Sequence, residues 1–424
     1  MTMSMPPARP TSWQSQPWVI VAFGFLALAI ASSARATLSL LMPVWQTEFG
    51  WSSSYISGVG ALALVIVAIV APFAGRLVDK MGPRFTLNLG LGLLGIGCGL
   101  VATMTGKLMF VIGYGGFCAV GFGVVASHVV ATAVTRSFSA NTGVAVGTAT
   151  SGATGGQFVI VPLIALLLSF ASWRWCFGAL SLASLSLIPC IRMMMQDRAA
   201  SRHSGQTPQN ATSFGQDFGY ILRRPAFHAL FWSFLICGFT SSGAIETHLL
   251  PFAAFCGFPP LQSATAYGLL SLINLFGMIG AGWLTDKVNR PTLLASIYVL
   301  RGMTYLILIY MPGTSIETLF IFAFLFGIVD YSTVPVTASL AASHIGLPVM
   351  GQAMGMISAG HALGSALAAY LGGYVFDTTG GYEALWLWSL WLLIAASGMA
   401  LIVLHLPRAP QSSGHGNAVG GNHG

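Results

Sequence analysis

The amino-acid sequence predicts an all-α membrane protein with twelve transmembrane helices in two pseudo-symmetric six-helix bundles. The first observation is composition: of 424 residues, 55% are hydrophobic and only 6% are Asp, Glu, Lys or Arg, whereas a soluble domain carries about 25% charged residues. The second is that apolar segments of ~20 residues, long enough for a helix to cross a bilayer, recur along the chain. The third is an internal repeat that relates the two halves.

Apolar runs between turn signals define twelve predicted helices, numbered in chain order. They cover residues 18–45, 52–78, 84–105, 108–136, 141–170, 173–195, 227–255, 260–285, 291–311, 316–343, 349–376 and 382–406. The predicted organisation is a cytoplasmic N-terminal segment (1–17), a first bundle (18–195), a cytoplasmic linker (196–226), a second bundle (227–406) and a disordered cytoplasmic tail (407–424). The run from Trp18 also resembles a signal peptide with a small-x-small site. Because apolar sequence resumes at Leu38, we expect an uncleaved first helix.

The basic residues predict the orientation of the chain. With both termini inside, thirteen of the 17 Lys and Arg residues fall in inner segments, two (Lys107 and Arg174) in outer loops and two (Arg35 and Arg301) within spans. This is the asymmetry of the positive-inside rule, and it predicts a multi-pass protein of the cell inner membrane with cytoplasmic termini. The net charge of +7 is then a topology signal, and we expect no nucleic-acid partner.

The six cysteines show no CxxC spacing and predict neither a disulfide framework nor a zinc site. We therefore expect no metal and no cofactor.

Two glycine-rich stretches form the internal repeat: GVAVGTATSGATGG (143–156) and GQAMGMISAGHALG (351–364), at a constant offset of 208 residues. The matching glycines are Gly143, Gly147, Gly152 and Gly156 in the first copy and Gly351, Gly355, Gly360 and Gly364 in the second. Their GxxxG spacing predicts close helix packing in lipid. Packing does not explain His361, which stands where the first copy has Ala153.

A second repeated pair, GRLVDKMGPR (75–84) and GWLTDKVNR (282–290), superimposes two loops that follow the second helix of each half. Two six-helix copies with this loop motif resemble the major facilitator superfamily over nearly the whole chain. The second loop departs from the signature, with Asn289 in the later glycine position. The resemblance implies alternating access, in which this loop stabilises one state. The implied gating residues are Gly75, Asp79, Lys80, Arg84, Asp286 and Lys287.

Ionisable residues inside the predicted spans and away from their ends are few, and each is a candidate functional group because a charge at bilayer depth costs at least ~2.5 kcal/mol. They are Arg35, His128, Glu246, His248, Arg301, Asp330 and His361. Glu246 and His248 lie about 200° apart on a regular helix, so only Glu246 is expected to face the cavity unless the helix breaks. By the resemblance, helices 1, 4, 7 and 10 line a central cavity. The predicted substrate-binding residues are Arg35, His128, Glu246, Asp330 and His361, with proton coupling by Glu246 or His361.

Arg301 is predicted to form a structural ion pair with Asp330, which leaves open whether Asp330 faces the cavity. Arg35 is then the best ligand, because a guanidinium stays charged and binds a carboxylate with two hydrogen bonds. The segments RATLSLLMPVWQTEFGW, FGIVDYSTVP and MGMISAGHALG are similar to those of bacterial monocarboxylate and oxalate/formate carriers. Helix 8 departs from the animal monocarboxylate carriers, since it has no Lys or Arg where they place an arginine.

The predicted function is secondary active transport of a small organic anion, most simply a monocarboxylate, coupled to protons and carried out by a monomer. An alternative is proton-driven efflux of amphipathic drugs, for which Glu246 and Asp330 would attract a cation, although Arg35 argues against one. An intramembrane hydrolase using Ser358 and His361 lacks any framing GxSxG or HExxH motif. We therefore expect no enzymatic activity.

Overall fold

Apolar, span-length segments fold here as predicted, into helices joined by short turns. The structure is a computed structural model that describes residues 17–195 and 213–409, and within these ranges the chain forms helices and no strands. The predicted N-terminal segment up to residue 16, the linker from 196 to 212 and the tail from 410, with its predicted disorder, lie outside the described residues.

Twelve membrane helices, α1 to α12, occupy the twelve predicted positions, which confirms the predicted fold class. The first half contains α1 (Trp18–Phe49), α2 (53–81), α3 (83–102), α4 (Lys107–Ser137), α5 (Thr142–Phe170) and α6 (Trp173–Met194). The second half contains α7 (Pro225–Phe255), α8 (Pro260–Thr285), α9 (Arg290–Ile309), α10 (Ile316–His344), α11 (Met350–Thr379) and α12 (Glu383–Ile402).

Length and composition make most of these helices suitable membrane spans. Ten described helical stretches are long and apolar enough to cross a bilayer, and one of them, Gly58–Ala102, contains both α2 and α3. The stretch from Met350 to Thr379 is not among them, because Gln352, His361 and its glycines and serines lower its mean hydropathy. Exposed side chains on the outer helices are large and apolar, such as Leu163 and Met303, as lipid contact requires.

Several helices are interrupted at defined positions. The turn between α2 and α3 is made at Gly82, whose φ of 80° and ψ of 168° lie in a region open to glycine but strained for other residues. Two helices contain π-helical segments, Val111–Cys118 in α4 and Phe239–Glu246 in α7. Three are discontinuous, α4 at 125–126, α5 at 151 and α10 at 330–332. Irregular backbone at membrane depth is tolerated where it is buried in protein or lines a polar site.

The described part of the linker contains a nine-residue helix, Phe214–Leu222, which the sequence analysis did not predict. It begins with a capping box between Ser213 and Gln216 and packs on the end of α2. The Phe214 ring stacks on Phe73 with ring centroids 5.0 Å apart, and Asp217 forms an ion pair of 3.3 Å with Arg76. We call this helix the linker helix. The end of the molecule where it lies also carries the α2–α3 and α8–α9 turns, and we call this end the linker face.

Candidate functional site

Asp79, at the linker-face end of α2, caps a helix of the opposite half. Its carboxylate accepts main-chain N–H bonds from Gly351 and Gln352 at the start of α11, both 3.0 Å long. It also accepts a hydrogen bond of 2.8 Å from Arg136 on α4. The first N–H groups of a helix lack helical partners and carry a partial positive charge. A carboxylate placed there holds the two halves together on the linker face.

Asp286 makes the equivalent contact from the other half. It receives N–H bonds from Gly143 at 2.8 Å and Val144 at 3.0 Å, at the start of α5. The two carboxylates that the sequence repeat superimposed therefore cap the two helices that the glycine repeat superimposed. Each of these contacts crosses the boundary between the halves.

The four glycines of each repeat divide into two pairs with different partners. A methyl group on Gly351 or Gly355 would collide with the main chain of α2 at Gly75 and Ala71. The first pair in α5, Gly143 and Gly147, meets the main chain of α8 in the same way. These four glycines thus allow backbone contact between the halves.

The second pair of each repeat packs inside its own half. In α5, methyl groups at Gly152 and Gly156 would collide with α1. In α11, Gly360 and Gly364 lie against α7. Close helix packing describes both pairs, but the sequence did not show that only the first pair lies between the halves.

The remaining residues of the loop motif surround the carboxylates. Lys80 is exposed, and Lys287 places its Nζ atom 4.0 Å from the centre of the Trp283 ring. Arg84 donates a hydrogen bond of 2.9 Å to the main-chain oxygen of Arg192 at the end of α6. Arg84 therefore joins the α2–α3 turn to its own half.

Arg35, on α1, has an exposed side chain that faces the second half. Its positive charge is close enough to interact with the hydroxyl groups of Tyr114 in α4 of the same half and Tyr267 in α8 of the other half. Within the described residues its guanidinium takes part in no hydrogen bond and in no ion pair; the three ion pairs found there involve other arginines. In the described part of the chain, this permanent cation therefore has no acidic side chain within ion-pair distance.

Glu246 lies on α7 in the opposite half and is also exposed. Its Oε1 atom accepts a hydrogen bond of 2.6 Å from the Tyr331 hydroxyl, which lies 2.9 Å from the hydroxyl of Ser242. Glu246 acts electrostatically on Tyr267, as Arg35 does. The cation of the first half and the carboxylate of the second therefore flank the same tyrosine.

A buried chain of hydrogen bonds continues from this point. The main-chain N–H of Tyr331 donates to Asn274 Oδ1 at 3.3 Å, and Asn274 Nδ2 donates to Asp330 Oδ2 at 3.1 Å. The other oxygen of Asp330, Oδ1, is buried and has no hydrogen-bond partner among the described residues. These main-chain and side-chain groups meet at the interruption of α10, residues 330–332.

Arg301, on α9, is completely buried beside Asp330. Its guanidinium donates to the main-chain oxygens of Val329 and Asp330 and to the Cys237 sulfur at 3.1 Å, and it acts electrostatically on the Asp330 carboxylate. The structure gives that carboxylate its hydrogen bond from Asn274 instead. The two residues predicted to form an ion pair are thus neighbours whose direct contact is through the main chain.

The three histidines predicted to lie at bilayer depth differ in their surroundings. His128 and His248 are buried, and each lies 3.1 Å from a main-chain oxygen, that of Ala71 in α2 and that of Ala369 in α11. His248 thus contacts α11, whereas Glu246 bonds to Tyr331 of α10. His361 is half-buried, interacts with the Cys237 thiol and packs on the Phe234 ring at 5.0 Å.

Sequence reasoning missed several groups of this site. Asn274 could have been noticed as an amide within an apolar span, and Tyr331 stands in the quoted segment FGIVDYSTVP. Tyr267 and Cys237 gave no signal, because tyrosine and cysteine are ordinary residues of helical cores. Their roles depend on contacts between helices that are distant in sequence.

Comparisons with known proteins agree with this architecture. The family model described as Major Facilitator Superfamily matches residues 24–357, and the chain belongs to this superfamily. A solved transporter of the superfamily, FucP in the outward conformation, superimposes with a TM-score of 0.75 at 16% identity over 92% of this chain and 99% of that one. The proton:xylose symporter XylE gives a TM-score of 0.69 at 14% identity, covering 92% and 96% of the two chains.

Curated relatives include animal and bacterial proteins. Monocarboxylate transporter 12 of Mus musculus is 25% identical, covering 92% of this chain and 86% of that protein. Monocarboxylate transporter 13 of Rattus norvegicus is 22% identical over 92% and 89%, and the uncharacterised MFS-type transporter YcxA of Bacillus subtilis is 22% identical over 86% and 90%. The protein is therefore a multi-pass membrane transporter and not an enzyme.

Proposed function

We propose that this protein is a secondary active transporter that moves a small organic anion, most simply a monocarboxylate, together with protons. The observation that carries the proposal is the exposed guanidinium of Arg35, which faces Tyr267 and has no hydrogen bond or ion pair among the described residues. An unpaired cation at membrane depth costs free energy unless a ligand or water neutralises it. A carboxylate fits, because it can accept two parallel hydrogen bonds from the guanidinium fork.

Relatives named monocarboxylate transporters support the same substrate class. Without a Lys or Arg in α8, Arg35 is the residue left to neutralise the anion between the halves. We assign the Tyr267 hydroxyl as the second group that binds the substrate carboxylate, because it lies close enough to Arg35 to interact with its charge.

Proton coupling is assigned to Glu246. Its carboxylate is exposed, lies in the opposite half from Arg35 and is held by the Tyr331 hydroxyl at 2.6 Å. A proton taken up there would compensate the negative charge of the substrate, so that the loaded carrier crosses the membrane potential without net charge. Tyr331 is held in place by Asn274, which accepts a hydrogen bond from the Tyr331 main-chain N–H and donates one to Asp330.

Alternating access is assigned to the contacts on the linker face. Asp79 and Asp286 accept four main-chain N–H bonds across the halves, and glycine contacts bring the backbones together there. We assign the linker face to the cytoplasmic side of the inner membrane, because the positive-inside rule expects basic residues there. The structure is then assigned to an outward-facing state of a monomeric carrier. Opening the linker face would break these contacts and release the anion inside.

Uptake of radiolabelled lactate into proteoliposomes with an imposed proton gradient tests the proposal. Arg35→Gln is expected to lower kcat/KM about 100-fold, because a charge-assisted pair of hydrogen bonds contributes about 3 kcal/mol. Arg35→Lys keeps the charge and is expected to retain part of the activity.

The matched control is Arg174→Gln, an exposed arginine paired with Glu48 at the opposite end of the molecule, which should leave uptake unchanged. Undiminished uptake by Arg35→Gln would exclude the anion assignment. Failure of the wild type to accumulate any small acid, together with extrusion of cationic dyes, would favour drug efflux instead.

A further inference from the structure

A cavity of 710 Å³ lies on the linker face of the second half, where the ends of α9, α10 and α12 meet. Its walls are the α8–α9 turn, the end of α10 with the turn that follows, and the residues after α12. The main-chain N–H of Ala409 donates to the Ser343 oxygen at 3.0 Å and ties the chain after α12 to the end of α10. The cavity is therefore formed by the packed ends of three membrane helices, outside the site described above.

Basic side chains converge on this cavity. Arg290, His344 and Arg408 line it, and none of its described lining residues is acidic. Both guanidinium groups are close enough to act electrostatically on His344. Arg290 makes one long hydrogen bond, 3.4 Å from Nε to the Thr285 oxygen, and Arg408 makes none from its side chain to the described residues. These cations have donors available for an anionic ligand.

The first half uses the equivalent residues differently. Arg84, which ends the loop motif of the first half as Arg290 ends that of the second, donates to the Arg192 oxygen at the end of α6. Arg136, the counterpart of His344 at the 208-residue offset, pairs with Asp79. The positive-inside rule accounts for basic residues on this face, but not for the convergence of Arg290, His344 and Arg408 on one cavity.

The rim of the cavity is apolar. Val288, Leu347 and Leu404 line it and are 45%, 45% and 41% exposed. The cavity also lies at the ends of three candidate spans, 290–309, 316–344 and 383–405, which is the depth of lipid headgroups. A small inorganic ion would leave these three apolar side chains uncovered, whereas a lipid would cover them with its acyl chains.

We propose that this cavity binds the phosphate-bearing headgroup of an anionic phospholipid. Arg290 and Arg408 hold the phosphate oxygens through their guanidinium forks, and the acyl chains lie along the apolar rim. Basic pockets between membrane helices are suited to such headgroups because each arginine adds attraction to the anionic leaflet. The site does not depend on the identity of the transported substrate.

Native mass spectrometry of the purified full chain, equilibrated with phosphatidylglycerol and phosphatidylcholine in equal amounts, tests the proposal. The wild type is expected to retain phosphatidylglycerol preferentially. The Arg290→Gln, Arg408→Gln double variant is expected to bind it about 25-fold more weakly, at about fivefold per arginine. The control is Arg192→Gln, Arg223→Gln, which removes two exposed arginines near the same face but outside the cavity and should behave as the wild type.

Equal retention of phosphatidylglycerol by the wild type and both double variants would overturn the proposal. So would a wild type that retains phosphatidylcholine equally well, a comparison that needs no variant. Displacement of the lipid by millimolar inorganic phosphate would identify free phosphate as the occupant and reject the lipid assignment.

Discussion

The two halves make the same backbone contact on the linker face but surround it with different charges. In both, an aspartate accepts two N–H bonds from the start of a helix in the opposite half. Asp79 has Arg136 as an additional partner at 2.8 Å. At the position equivalent to Arg136, His344 bonds to Ser343 and the Leu340 oxygen and lines the cavity near Arg290.

This difference shows what the duplication has kept. Helix capping by a carboxylate and close approach through glycine depend on main-chain geometry, and both occur in each half. Ion pairs are side-chain features, and among the described residues one is found at the Asp79 contact and none at the Asp286 contact. The linker helix adds to the asymmetry, because its Asp217 and Phe214 pack on α2 of the first half. The two contacts should therefore differ in strength although their backbones match.

The largest expected effect comes from filling the backbone contact itself. Gly351→Ala places a methyl group against the Gly75 oxygen, and such overpacking costs about 1–3 kcal/mol. We expect the ratio of molecules with a closed linker face to molecules with an open one to fall by about 5–150-fold. Distance distributions between spin labels at positions 81 and 288, exposed sites in the two halves, would measure the shift.

Gly373→Ala is the matched control, since it lies on the same helix with open space around the added methyl group. A linker face that stays equally closed in both variants would show that the close approach of α2 and α11 is not what holds the halves together.

The second prediction compares the two carboxylates directly. Asp79→Asn and Asp286→Asn each remove a charge at a helix N-terminus, worth about 1 kcal/mol. Asp79→Asn also leaves Arg136 without its anion, so we expect opening of the linker face to be about fivefold greater than in Asp286→Asn. The same label pair measures both variants.

Arg136→Gln serves as the reference for this comparison, because in its background the two substitutions should become equal. Equal opening in the wild-type background would mean that the ion pair adds nothing to the contact.

The smallest expected effect concerns the polar cluster of Glu246, Tyr331, Asn274 and Asp330 in the second half. Tyr331→Phe removes the hydroxyl that donates to Glu246, a loss of about 1 kcal/mol. Proton-driven accumulation should fall about fivefold, whereas substrate counterflow, which needs no net proton movement, should change less than about twofold. Tyr374→Phe, exposed on α11, is the control. A parallel loss of accumulation and counterflow would place Tyr331 in substrate binding rather than in coupling.

Local patterns predicted most of the helices, since most spans are apolar runs and many of them have glycine or proline near an end. The loop and glycine repeats also indicated which residues lie at equivalent positions in the two halves. The nine-residue linker helix escaped prediction because it is too short to be a membrane span and follows a polar stretch, and because it packs on residues more than 100 positions away.

The sequence by itself determined the number of helices, the duplication and the few polar groups placed in apolar spans, because span length and hydrophobicity are properties of contiguous residues. Only the tertiary structure decided which glycines lie between the halves, that Asp330 takes its hydrogen bond from Asn274, and that Arg35 has no hydrogen bond or ion pair with the described residues. These outcomes depend on the packing of helices far apart in the chain. In such packing, steric fit and the pairing of buried polar groups select one partner among several that the sequence allows.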